Sequence, residues 1–116
     1  MPAFWQRLAH CETNSRWNWG AETRPGEGST FVGGLGIYAP NWVAWRGHVG
    51  IAGPAWRATP SQQARVAAWG FVHARAWWGC FRDVGLPDAR AIAILRTPTP
   101  PRDLLAQDPL KPLELF

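Results

Sequence analysis

A chain of 116 residues with an ordinary 47% apolar share suffices for one domain with a proper core, and nothing in it suggests two. Its formal net charge of +4 rests on eleven Arg and one Lys, scattered rather than clustered, and no helix-turn-helix, zinc-finger or RNA-binding signature accompanies them, so nucleic acid is not an expected partner. No apolar run is long enough to span a membrane.

The first helix is predicted to open at Pro2, a favourable first-turn residue, and to end near Asn14-Ser15, whose side chains compete with the helical backbone. At helical spacing Trp5, Leu8, Ala9 and Glu12 share one stripe, and Phe4, Leu8 and Cys11 an overlapping one. Glu12 therefore either faces inward at the lip of the core or packs its stem and leaves its head in water. In the first case, a carboxylate held against apolar neighbours resists ionising and can carry a proton near neutral pH, as a general acid must.

Residues 20–30 read as loop throughout and contain Glu22 and Glu27. A small hairpin around this loop takes Phe31 to Leu35 as its second strand, and Gly33-Gly34 allows positive φ or a close approach of another chain segment. Pro40 starts a short helix that runs to about Trp45, with Trp42 packed in the core. Thr59-Pro60-Ser61-Gln62 is a capping box. Ala67, Phe71, Ala74, Trp78 and Phe81 then recur at three- and four-residue steps, which predicts one long helix running down to Cys80. Asp88 to Leu95 reads as a further short helix or as a strand. After Arg96 the run Thr97-Pro98-Thr99-Pro100-Pro101 is linker chemistry, so the chain divides into a domain over 1–96 and a Pro-rich tail over 97–116 that lies along the surface or leads to a partner domain. The fold class expected is mainly α, with at most a small hairpin.

Nine Trp in so short a chain is unusual. Most should fill the core, but flat aromatic faces also stack on sugars, and a glycan groove needs several. Glycoside cleavage commonly uses two carboxylates. Only Glu12 is strongly placed, with Glu22, Glu27, Asp83 and Asp88 as candidates for a second. His10, His48 and His73 lack metal-ligand spacing and two cysteines cannot make a zinc site, so neither metal nor cofactor is expected. Neither cysteine carries a peptidase signature, and no glycine loop follows a strand and opens a helix as phosphate binding requires. Cys11 and Cys80 are compatible with one disulfide or with two thiols in a reducing compartment.

Taken in order, Trp5, Leu8-Ala9, Cys11-Glu12, Trp17, Gly33-Gly34-Leu35, Trp42 and Cys80 resemble the resuscitation-promoting-factor, or transglycosylase-like, domain of actinobacteria, over roughly Phe4 to Cys80. The resemblance implies a lysozyme-like domain that acts on peptidoglycan glycan strands, cleaving the β-1,4 bond between N-acetylmuramic acid and N-acetylglucosamine with Glu12 as the single acid. In a lytic transglycosylase the sugar's own C6 hydroxyl attacks, so no second carboxylate is needed, whereas a muramidase uses water. The resemblance also implies a Cys11–Cys80 disulfide, worth about 4 kcal/mol in the chain-entropy model for a loop of about seventy residues. It places Gly33 and Gly34 along the cleft, and Trp17 and Tyr38 are read as lining it too. Two departures stand out. Gly36 occupies the position where the family usually has Gln, with Tyr38 a candidate replacement hydroxyl, and Asn41 stands where Thr is more usual. The alternative is a non-catalytic peptidoglycan-binding or phage virion module with the same fold. Met1-Pro2-Ala3 carries no secretory signal, so a location at the cell wall implies a missing export segment or a phage-encoded lysin.

Overall fold

The computed structural model describes residues 1–20 and 31–96. Helix α1 spans Ala3–Thr13, with Pro2 as N-cap and Asn14 in the left-handed conformation (φ 58°) at its end. The Ser15 N–H bonds the Ala9 carbonyl at 3.1 Å and the Asn14 N–H bonds that of His10 at 3.0 Å, satisfying the last carbonyls. Phe4, Trp5, Leu8 and Ala9 are buried, as the periodicity requires, and the Trp5 indole N–H donates to the Ala91 carbonyl at 3.0 Å.

The hairpin is built differently from the sequence expectation. Phe31–Val32 is its first strand, β1, and pairs antiparallel with β2, Ile37–Tyr38. The turn between them is Gly33-Gly34-Leu35-Gly36, where Gly33 (φ 74°) and Gly36 (φ 59°) adopt backbone angles that side-chain-bearing residues avoid. Leu35 is wholly buried at the turn. Apolar Leu35 thus anchors a reversal rather than extending a strand.

Helix α2, Ala39–Arg46, follows at once with Pro40 in its first turn, and a 3-10 turn over Gly47–Val49 ends it. Trp42 is buried, and its indole N–H donates to the Gly53 carbonyl at 2.9 Å. Helix α3, Pro60–Ala74, starts on the capping box: the Gln62 N–H bonds Thr59 Oγ1 at 3.1 Å and the Thr59 N–H bonds Gln62 Oε1 at 2.9 Å. The Trp45 ring lies directly over Gly70, where a β-carbon would collide with it. That glycine lets α2 and α3 approach closely.

The long helix expected to reach Cys80 stops at Ala74. Arg75 turns left-handed (φ 55°), the Ala76 N–H caps the Gly70 carbonyl at 3.1 Å, and helix resumes only in α4, Phe81–Val84. The reason lies outside the segment. The Trp78 indole N–H must reach the Leu35 carbonyl, at 2.7 Å, and Cys80 is bonded to Cys11, so the chain has to leave the axis of α3 and cross to α1. A left-handed arginine costs about 1–2 kcal/mol, which burying Trp78 against Trp5, with ring centroids 6.5 Å apart, offsets. Asp88 then caps α5, Ala89–Ile92, through its Oδ1 on the Ala91 N–H at 2.8 Å, and a 3-10 turn over Ala93–Leu95 completes the helical alternative for this segment.

The result is a mainly helical domain with one two-stranded hairpin. Of the nine Trp, Trp5, Trp42, Trp45 and Trp78 are buried in the core, while Trp17, Trp56 and Trp69 are half-buried and Trp19 and Trp77 exposed.

Candidate functional site

Glu12 sits on the last turn of α1, half-buried, where the chain from Ala76 to Cys80 crosses it. One carboxylate oxygen accepts the backbone N–H of Cys80 at 3.0 Å. The Cys11–Cys80 disulfide, with α-carbons 6.1 Å apart, fastens that crossing to the residue next to Glu12. Cys80 is therefore tied covalently to Cys11 and, through its amide, by a hydrogen bond to the carboxylate of Glu12.

Glu12 borders an open cavity of about 650 Å³. Three pieces of chain supply the rest of its lining: the hairpin with Phe31, Gly36, Ile37 and Tyr38, helix α2 with Asn41 and Trp45, and the crossing with Ala76, Trp77, Trp78 and Gly79. Trp19 and Thr13 complete it. The aromatic rings here are unusually open to solvent, with Trp77 66% exposed, Phe31 52%, Tyr38 44% and Trp19 39%. Phe31 and Tyr38 are cross-strand neighbours with centroids 6.1 Å apart, Trp77 stands edge-on to Phe81 at 5.1 Å, and the Arg16 guanidinium lies 5.4 Å from the Trp19 ring.

Among the described residues Glu12 is the one carboxylate in the lining. Asp83 is exposed on α4 and Asp88 caps α5, both away from the cavity, while Glu22 and Glu27 lie outside the described residues. Cys11, Cys80 and Asp83 form the one His/Cys/Asp/Glu grouping of three close enough to share an ion among the described residues, but both sulfurs are engaged in the disulfide.

Of the residues read from the sequence as lining a cleft, Tyr38 borders the cavity beside Glu12. Trp17, Gly33 and Gly34 lie behind it. A β-carbon on Gly34 would come within 2.5 Å of the Trp17 ring, and one on Gly33 would strike the Gln63 side chain, so both glycines serve close packing. Gln63, 1% exposed on α3, organises this layer. Its Oε1 accepts the Gly34 N–H at 2.8 Å, and its Nε2 donates to the carbonyls of Trp17 at 2.9 Å, Ala55 at 2.9 Å and Ala58 at 3.0 Å. From the other side Thr13 Oγ1 donates to the Gly34 carbonyl at 2.7 Å. Glu12's own helix thereby fixes the turn whose far side opens on the cavity.

Sequence reasoning missed Gln63, because a glutamine beside a helix cap reads as surface, and it missed Trp77, which fell off the packed stripe of a helix that does not extend so far. Phe31, Trp19 and Asn41 carried no local signal for a shared site. Gln63→Leu keeps the volume but strands four buried or half-buried backbone groups, and we expect it to lower unfolding free energy by about 3 kcal/mol. A urea titration checks this, and an unchanged midpoint would show the clamp to be dispensable.

No family model matches the chain, and no solved structure does. Among curated proteins it is similar to Resuscitation-promoting factor Rpf1 of Corynebacterium glutamicum, 36% identical over 92 residues covering 73% of this chain. The chain spans 42% of that relative's length. With the order of Trp5, Cys11-Glu12, Gly33-Gly34-Leu35 and Cys80 already pointing the same way, the chain belongs, over this domain, to the family of the resuscitation-promoting factors.

Proposed function

We propose that this domain cleaves peptidoglycan glycan strands at the β-1,4 bond between N-acetylmuramic acid and N-acetylglucosamine, with Glu12 as its acid. The observation that carries the reading is that Glu12 is, among the described residues, the one carboxylate at the edge of an open cavity rimmed by solvent-exposed rings. Rings left uncovered at a cost in apolar exposure suit the C–H faces of sugars, and a cavity open to solvent admits a polymer. Glu12 gives its proton to the leaving glycosidic oxygen. As the C6 hydroxyl of the sugar bonds to the anomeric carbon, its proton returns to the Glu12 carboxylate, which closes the cycle and leaves a 1,6-anhydro end. One well-held carboxylate suffices for both transfers. The domain over 1–96 does this chemistry, and the Pro-rich segment over 97–116 serves as a tail or as a linker. It acts at the cell wall, reached by export or by phage delivery.

The test is digestion of purified walls with mass analysis of the soluble fragments. Anhydro ends support the transglycosylase reading, and reducing ends, one water heavier, make the domain a muramidase. Gly36, on the lining where the family usually has Gln, favours the second reading of a binding module without turnover. Wall binding with no soluble product would establish that one.

Trp77 stands largely outside the core, so removing its ring should cost binding and not folding. Trp77→Ala is expected to weaken glycan affinity about tenfold with little change in melting temperature. Titration of a wall oligosaccharide into the non-cleaving Glu12→Gln background measures it, and unaltered affinity would remove Trp77 from the site.

A further inference from the structure

The Cys11–Cys80 disulfide has carboxylates on both sides. Glu12 follows Cys11 along α1 and accepts the Cys80 N–H at 3.0 Å, while Asp83 on α4 brings its Oδ2 to 3.7 Å from Cys11 Sγ. A sulfur in a disulfide has no proton to donate, so the Asp83 contact sets a charge against sulfur and is not a hydrogen bond. Both sulfurs and an Asp83 oxygen lie within 4.8 Å of one another. Cys11 is exposed and Cys80 half-buried. The sulfur that a reductant reaches first is therefore the one with Asp83 next to it.

That placement bears on how the bond opens. In thiol–disulfide exchange a thiolate bonds to Cys11 Sγ, the S–S bond breaks, and its electron pair leaves on Cys80 as a thiolate. A second thiolate then attacks the newly attached sulfur and releases Cys11. The protein bond has gained two electrons, the two small thiols end as a disulfide, and the cysteine thiolates take protons from water. In the first step negative charge arrives at Cys11 and develops on Cys80, and the Asp83 carboxylate opposes both. Opposition grows with the net charge of the reductant, so a thiol bearing a further anionic group is hindered most and one bearing an ammonium least. We infer that Asp83 is an electrostatic guard of the Cys11–Cys80 bond, making its reduction selective by charge and shielding the crossing over Glu12 from anionic thiols. The inference concerns the bond alone and holds whether or not the domain cleaves glycan.

The experiment uses the full chain and three small thiols at equal thiolate concentration and low ionic strength: mercaptoethanesulfonate, which is anionic, neutral mercaptoethanol and cationic cysteamine. Free cysteines are alkylated at intervals and the protein weighed. Each thiol's rate in a variant is divided by its rate in the parent, which removes its own nucleophilicity. Asp83→Asn, which keeps the shape and removes the charge, should speed reduction by the sulfonate about tenfold, by mercaptoethanol less, and by cysteamine hardly at all. Asp83→Lys should carry the sulfonate gain further, and added salt should narrow the spread among the three. A substitution that merely loosened the fold would speed all three alike. That result, or an unchanged sulfonate rate in Asp83→Asn, would overturn the inference.

Discussion

Glu12→Gln should reduce wall-degrading turnover by about three orders of magnitude, the scale of a positioned general acid, while leaving the fold and the affinity for glycan almost unchanged. The substitution separates chemistry from structure unusually well here. The carboxamide oxygen of Gln can still accept the Cys80 N–H that now lies 3.0 Å from Glu12, and the stem fills the same half-buried volume. What is lost is the transferable proton. Turbidity loss of a wall suspension gives the rate, oligosaccharide titration the affinity, and thermal melting the fold. Retained turnover at more than a tenth of the parent rate would remove Glu12 as the acid. Equal inactivity of parent and variant, with intact wall binding, would mark the domain as a binding module.

The second large effect concerns the disulfide. Opening the Cys11–Cys80 bond, 69 residues apart in sequence, should cost about 2–4 kcal/mol, which for a domain of this size lowers the melting temperature by roughly 10–25 °C. The loss of activity should exceed what that destabilisation alone explains. The bond holds the crossing from Ala76 to Gly79, which carries the Trp77 and Trp78 walls of the cavity, and it presents the Cys80 amide to Glu12. With the link gone, the crossing depends on the Trp78–Leu35 hydrogen bond and on packing around Phe81. The double substitution Cys11→Ser, Cys80→Ser, assayed well below its own melting temperature, should therefore turn over walls at least tenfold more slowly than the parent. Reduction with a thiol reagent and reoxidation should reproduce the loss and its recovery. A serine pair as active as the parent at that temperature would show that the crossing stays in place unaided.

How much of this was legible in advance depends on how far apart the interacting residues lie. The α1 stripe of Trp5, Leu8 and Ala9, the Asn14 stop, the Thr59–Gln62 capping box and the Pro40 helix start are all signals between residues at most five apart, and each is found where the sequence places it. Even the disulfide was accessible only through the family pattern, since nothing within either cysteine's neighbourhood names its partner. The hairpin failed because the turn was sought in the Gly-rich loop before Phe31, whereas the burial of Leu35 and the Trp78 bond to its carbonyl favour a reversal immediately after Val32.

The sequence by itself determined that the domain is mainly helical, which faces of α1 and the start of α3 are apolar, and that Glu12 falls in register with the apolar stripe of α1, because helix period and capping act within a turn or two of chain. Only the tertiary structure decided that α3 ends at Ala74, that Gln63 is a buried clamp on the Gly33-Gly34 turn, and that Trp77, Phe31 and Trp19 share a rim with Glu12. Those outcomes rest on contacts between residues 29 to 68 positions apart, Gln63 with Gly34, Trp78 with Leu35 and Cys80 with Glu12. Their energies override the local preference of each segment, and no local pattern records them.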